Sequence, residues 1–128
     1  MIYLDTSALV TFVTRRPPAD ELDAYLVGLA APTCTSTIGM VEAVRSCDRI
    51  GDFPGLMREL VRDHIEIPMS GYVRDAAARL VGRLKSMDAV HVASAEVLGS
   101  ELTVLVTYDK RMADAARAVG LPVASPGA

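Results

Sequence analysis

The chain has 128 residues, 51% of them apolar and 23% charged, the size and balance of one folded unit with a substantial core. A net charge of −3 argues against holding nucleic acid by charge alone, and no apolar run reaches the roughly 18 residues that a membrane span needs. The opening Met1-Ile2-Tyr3-Leu4-Asp5 has no basic segment and meets an acid where a signal peptide would stay apolar, so a cytoplasmic protein with no membrane association is expected.

In chain order, Ile2–Leu4 reads as a short strand, and Asp5-Thr6-Ser7 supplies helix-starting side chains ahead of Ala8, Leu9, Val10, Phe12 and Val13. Arg15-Arg16-Pro17-Pro18 ends that helix. Asp20 is placed to cap the next, whose Leu22, Tyr25, Leu26 and Leu29 keep helical spacing up to Pro32. A brief strand at Thr33–Thr35 is followed by a helix capped by Ser36 or Thr37, with an apolar stripe of Ile38, Val41, Ala43 and Val44, ending near Gly51. Asp52 and Pro54 open a further helix carrying Leu56, Leu60 and Val61.

Ile65–Ile67 is a strand stopped by Pro68, and Ser70 caps a helix with Val73, Ala76, Ala77, Leu80 and Val81 facing inward. The helix from Met87 to Leu98 is apolar on most faces and should be central to the packing. The aliphatic run Leu102–Val106 has the pattern of a strand covered on both sides. A last helix through Met112, Ala115, Ala116 and Val119 ends at Gly120, and Leu121–Val123 adds an edge strand. Strands alternating with helices predict an α/β fold over residues 1–128, a single domain with a central, mostly parallel sheet, helices on both faces and right-handed crossovers.

Four acids stand out. Asp5 and Asp109 each lie just beyond a strand end, where open parallel sheets bind ligands, provided that the two strands are neighbours. Asp88 lies in the first turn of the most apolar helix, and Glu42 reaches in from a flanking one. Taken singly, each has a structural explanation: Asp5 and Asp88 as helix caps, Asp109 as a turn residue, Glu42 as a solvated position. Taken together, clustered carboxylates repel one another and call for a cation. All-oxygen donors favour Mg²⁺ or Mn²⁺, ions suited to phosphodiester cleavage without a cysteine, serine or histidine nucleophile. Ser7 and Thr107, each two residues from an acid, are placed to hydrogen-bond the carboxylates or to serve as a cap and a strand-end hydroxyl.

Nearly all of the 13 basic residues are Arg, which suits bidentate phosphate contacts. Arg45 and Arg49 share a helix face with Glu42, and Arg15-Arg16 sit on a connection, so all four are candidates for holding a nucleic-acid backbone. The alternatives are salt bridges within the helix or a solvated face. Arg58–Arg62 and Arg79–Arg83 read as solvated pairs on outer helix faces, and His64 as a surface residue. His91, three residues after Asp88, is within reach of the site but fits a packed helix position better. Cys34 and Cys47 have neither metal nor disulfide spacing and read as small buried groups.

Asp5-Thr6-Ser7, a helical Glu42, Asp88-Ala89-Val90-His91-Val92-Ala93 and Thr107-Tyr108-Asp109 resemble the four acidic motifs of the PIN domain. Asp109-Lys110-Arg111-Met112 followed by Ala115-Ala116 and Gly120-Leu121 resembles most the VapC toxins of bacterial type II toxin–antitoxin systems. The resemblance implies a three-layer PIN-like fold and a Mg²⁺- or Mn²⁺-dependent endoribonuclease, held inactive by a VapB-like antitoxin and forming a homodimer. It also implies that Asp5 and Asp88 are the principal metal ligands, with Glu42 and Asp109 completing the pocket. The chain departs from the pattern before Asp88, where Arg83-Leu84-Lys85-Ser86-Met87 is short and lacks the usual small residues, so the loop beside the site should differ.

Two other functions compete. A haloacid-dehalogenase-type phosphohydrolase needs a second Asp two residues after the nucleophile, where this chain has Ser7. A PIN-like module that only binds protein or RNA has no use for clustered carboxylates, whose desolvation and repulsion are costly.

Overall fold

The computed structural model describes residues 1–128. Five strands, β1 (Ile2–Leu4), β2 (Thr33–Ser36), β3 (Ile65–Ile67), β4 (Val104–Val106) and β5 (Val123–Ala124), form one sheet in the order β3-β2-β1-β4-β5. Every pairing is parallel. Seven helices connect them: α1 (Thr6–Thr14), α2 (Ala19–Leu29), α3 (Thr37–Ile50), α4 (Leu56–Asp63), α5 (Gly71–Arg79), α6 (Ser86–Glu96) and α7 (Lys110–Ala118). None is long and apolar enough to cross a membrane.

The two-residue period of a strand divides the core in two. Ile2 and Leu4 of β1, with Val104 and Val106 of β4, point to the face covered by α1 to α4, where Leu9, Leu22, Ala43, Cys47, Leu56 and Leu60 meet them. Tyr3 and Leu105 point the other way, into the layer of α5, α6 and α7 with Val73, Val92, Ala93, Met112 and Ala116. All three residues of β4 are buried, as its unbroken aliphatic run predicts. Because α6 packs against α5, α3, α7 and β2 at once, almost every residue from Ala89 to Ala95 is buried, and the lack of a polar face in its sequence follows.

Several boundaries differ from the sequence reading. The buried stripe of α3 is Met40, Ala43 and Cys47, whereas Val41 is 43% exposed, because the helix presses its Gly39 edge against α6. The helix expected to open at Asp52 and Pro54 starts at Leu56, behind Gly55 in the left-handed conformation (φ 72°). The second helix begins after Pro18 with no side-chain cap, and Asp20 sits inside its first turn. Because α5 stops at Arg79, Val81 is 88% exposed and Arg83 lies in the loop, so Arg79 and Arg83 are no helical pair. His64 is not a surface residue. It is 8% exposed, bonds Thr33 Oγ1 through Nδ1 at 2.6 Å and stands edge-on to Phe12, and burial holds its pKa below the usual value. Both cysteines are buried, which raises their thiols, that of Cys34 to about 11.

Gly39 fixes how closely α3 approaches the rest of the molecule. A Cβ there would lie 2.2 Å from Thr35 Oγ1 and 3.1 Å from Cε1 of His91, and Thr35 Oγ1 is buried without a partner. Gly39→Ala should therefore destabilise the protein by about 1–3 kcal/mol, the usual cost of overpacking. Adding Thr35→Ala removes the clashing oxygen and should recover part of the loss, read as the urea midpoint of the double variant against the single one.

Candidate active site

The chain runs outward from β1 to β2 and β3 on one side, then returns to place β4 and β5 on the other, so the order of connection reverses between β1 and β4. Leu4 pairs with Val106, which brings the carboxyl ends of these strands side by side. That is where an open parallel sheet leaves a crevice. Here the crevice is a cleft of about 320 Å³ whose walls include Asp5, Thr6, Ser7, Glu42, Asp88, His91 and Asp109.

Asp5 is 2% exposed at the seam between the two strands. Its Oδ1 accepts from Ser7 Oγ at 2.7 Å and from the Ala8 N–H at 3.0 Å, and its Oδ2 accepts from the Thr107 hydroxyl. The same carboxylate thus caps α1 and faces the cleft, so the helix-cap and site readings describe one group. Burial raises its pKa, and the three donors pull the other way. The two hydroxyls also stitch the strand ends together, since Ser7 Oγ accepts from the Tyr108 N–H at 2.8 Å and Thr107 Oγ1 from the Asp109 N–H at 3.0 Å.

The role of Thr107 can be measured. Thr107→Val keeps the shape but leaves a buried carboxylate oxygen and a backbone N–H unpaired, a loss of about 1–3 kcal/mol. Thr107→Ser should retain most of the stability. Equal unfolding midpoints for Val and wild type would show that the bond to Asp5 contributes nothing.

The remaining acids arrive on three helices. Asp109 caps α7, its Oδ1 accepting from the N–H groups of Arg111 (2.9 Å) and Met112 (3.4 Å), and its side chain is exposed. Glu42, one turn into α3, accepts on Oε1 from Thr6 Oγ1 at 2.7 Å and from Nε2 of His91 at 2.9 Å. Those donors, His91 first, hold its pKa below the usual value. Asp88 lies in the first turn of α6, whose cap is Lys85, and makes no hydrogen bond or salt bridge. Partial burial and then the charges of Asp109, Glu42 and Asp5 raise its pKa, with His91 opposing.

The donor set of four carboxylates suits a hard divalent cation, and an unpartnered Asp88 repelled by its neighbours is what such a charge would relieve. The acids share the cleft wall, but no three His, Cys, Asp or Glu side chains are grouped closely enough to hold one ion among them. Like-charge repulsion opposes closer approach.

Of the arginines expected at the rim, only Arg16 lines the cleft, with its Nε donating to Thr11 Oγ1 at 3.2 Å. Arg15 turns away to Asp23 (2.7 Å) and Asp20 (3.1 Å) on α2. Along α3 the residues that share the cleft with Glu42 are Ser46 and Ile50, four and eight positions on. Arg45 and Arg49, at three and seven, lie on its exposed flank and form no salt bridge. Tyr3 and Thr6 were not singled out in the sequence, yet both bond His91. The available signal was a Tyr in a fully buried strand, whose hydroxyl must find a partner.

The PIN domain family model matches residues 2–118. Among curated relatives, Ribonuclease VapC47 of Mycobacterium tuberculosis (strain CDC 1551 / Oshkosh) is 38% identical, covering 100% of this chain and 98% of its own. Ribonuclease VapC46 of Mycobacterium tuberculosis (strain ATCC 25618 / H37Rv) is 35% identical, covering 98% and 97%. Among solved structures, FitAB bound to the IR36 DNA fragment superposes with a TM-score of 0.70 at 18% identity, covering 100% of this chain and 96% of that one, a likeness of fold. With that sheet order, that acidic cleft and relatives matched from end to end, the chain belongs to the PIN-domain family and, within it, to the VapC proteins.

Proposed function

We propose that this protein is a divalent-metal-dependent endoribonuclease acting as the toxin of a type II toxin–antitoxin pair. The observation that carries the reading is the set of four carboxylates, from β1, α3, α6 and the β4–α7 turn, lining one cleft at the reversal point of a parallel sheet. Full-length relatives named as ribonucleases support it.

In this reading Asp5, Glu42, Asp88 and Asp109 would hold Mg²⁺ or Mn²⁺, whose charge would offset the repulsion that keeps them apart. When bound, the cation would supply Lewis acidity toward the scissile phosphodiester and toward water. The chain's own residues do the positioning: Ser7 and Thr107 fix the Asp5 carboxylate, Thr6 and His91 fix Glu42, and Arg16 offers a guanidinium to the RNA backbone at the cleft edge. Arg45 and Arg49, on the outer flank of α3, extend that contact along the strand leaving the cleft. Residues 1–128 act as a single PIN-like domain in the bacterial cytoplasm, as a homodimer restrained by a VapB-like antitoxin.

Purified protein should cut single-stranded RNA with Mn²⁺ or Mg²⁺ and stop when EDTA is added. RNA bound but left intact under both metals would favour the binding-only module.

A further inference from the structure

Glu42 differs from the other acids in being held by side chains that reach back into the sheet. Nε2 of His91 meets its Oε1, and on the far side of the ring Nδ1 meets the Tyr3 hydroxyl at 2.7 Å. Thr6 Oγ1 also touches both, at 2.7 Å from Glu42 Oε1 and 3.1 Å from Nε2. With a neutral ring, only one placement of protons satisfies these contacts. An ionised carboxylate only accepts, so the Thr6 hydroxyl and an Nε2–H both donate to Glu42. Nδ1 is then the ring's acceptor, and the Tyr3 hydroxyl donates to it.

We propose that His91 is a positioning residue for Glu42: held as the Nε2–H tautomer between the Glu42 carboxylate and the Tyr3 hydroxyl, it occupies Oε1 and leaves Oε2 as the one oxygen Glu42 presents to a divalent cation. This rests on the reading of the cleft as a metal site.

The surroundings leave the ring little freedom. His91 is 1% exposed and edge-on to the Tyr3 ring, with centroids 5.8 Å apart and planes at 81°. Tyr3 is anchored in the central strand, fully buried. On the α3 side, the missing Cβ of Gly39 gives Cε1 its place. Burial also raises the Tyr3 phenol above its ordinary range, so its proton stays available to Nδ1.

The test has two independent arms. Nitrogen-15 NMR of the metal-free protein at mildly alkaline pH should show His91 with a protonated Nε2 and a bare Nδ1, and Tyr3→Phe, which removes the donor to Nδ1, should move the Nδ1 resonance to that of an acceptor without a partner. An Nδ1–H pattern in the wild type, or an unmoved Nδ1 resonance in Tyr3→Phe, overturns the proposal. In the second arm, Mn²⁺ binding is titrated by calorimetry. His91→Leu should weaken it by about 10–100-fold, the usual cost of losing a residue that orients a metal ligand, while His91→Gln, which keeps an N–H near Nε2, should restore most of the affinity.

Equal Mn²⁺ affinity in wild type and His91→Leu overturns the positioning role while leaving the metal site standing. No Mn²⁺ binding by the wild type overturns the metal reading itself, and the tautomer arm then reports on the ring alone. Thermal unfolding is followed for each variant. Should His91→Leu fail to fold, Tyr3→Phe, which removes one oxygen, decides: a loss of Mn²⁺ affinity supports the proposal and unchanged affinity overturns it.

Discussion

Asp88→Asn should remove RNA cleavage while making the metal-free protein slightly more stable. A cation acting as a Lewis acid contributes several kcal/mol to such a reaction. At 1.36 kcal/mol per tenfold, a loss of about 4 kcal/mol lowers the rate by roughly 10³. The stability effect has the opposite sign because two terms compete at Asp88. Its place in the first turn of α6 favours negative charge through the helix dipole. Partial burial and the charges of Asp109, Glu42 and Asp5 oppose it, and the raised pKa says that they win. Without a cation, neutral asparagine should therefore gain stability, by no more than about 1 kcal/mol for so solvated a cluster, or a few degrees in Tm. Cleavage at the wild-type rate would remove Asp88 from the mechanism. Lost cleavage with lowered stability would mean that the variant is merely damaged.

The strands and their parallel sense were legible because short apolar runs flanked by helix signals leave few other readings, and Asp5 and Asp109 follow from strand ends; that β1 and β4 are neighbours was not legible, since pairing is set by tertiary packing. Asp88 follows from the start of an apolar helix. Glu42 does not: nothing in the local pattern around it separates it from a solvated helix glutamate, and in the sequence it leaned chiefly on the family resemblance. What marks it physically is the pair of donors from Thr6 and His91, 36 and 49 residues away. Contacts of that range are set by tertiary packing, which local patterns do not encode. The same holds for His64, whose burial depends on Thr33 and Phe12 coming together from other elements. The misplaced stripe on α3 has a local cause. Spacing counted Val41 as apolar, but the face turned inward is the one that Gly39 opens to α6.

Mn²⁺ should raise the melting temperature more at pH 7.5 than at pH 5, and the sign follows from the carboxylates. Asp5 and Asp88 have pKa values raised above the ordinary aspartate value of 3.8. Between that value and their folded ones, the native state holds more protons than the unfolded chain, so their contribution to stability falls as pH rises through the window. Above that window their charge is a standing cost. Glu42 works the other way: its lowered pKa gives stability present above its unfolded value of 4.5 and lost as pH falls through the folded value. A cation needs the ionised forms, so its binding becomes tighter as pH rises through the raised window and releases protons there. At a hundred times the dissociation constant, binding adds about 2.7 kcal/mol, on the order of 10 °C for a chain of this size. As pH falls into the window, proton competition weakens binding and shrinks that increment, and Asp88→Asn should largely abolish it at either pH. An equal rise at both pH values would mean that the cation is held somewhere other than at Asp5 and Asp88.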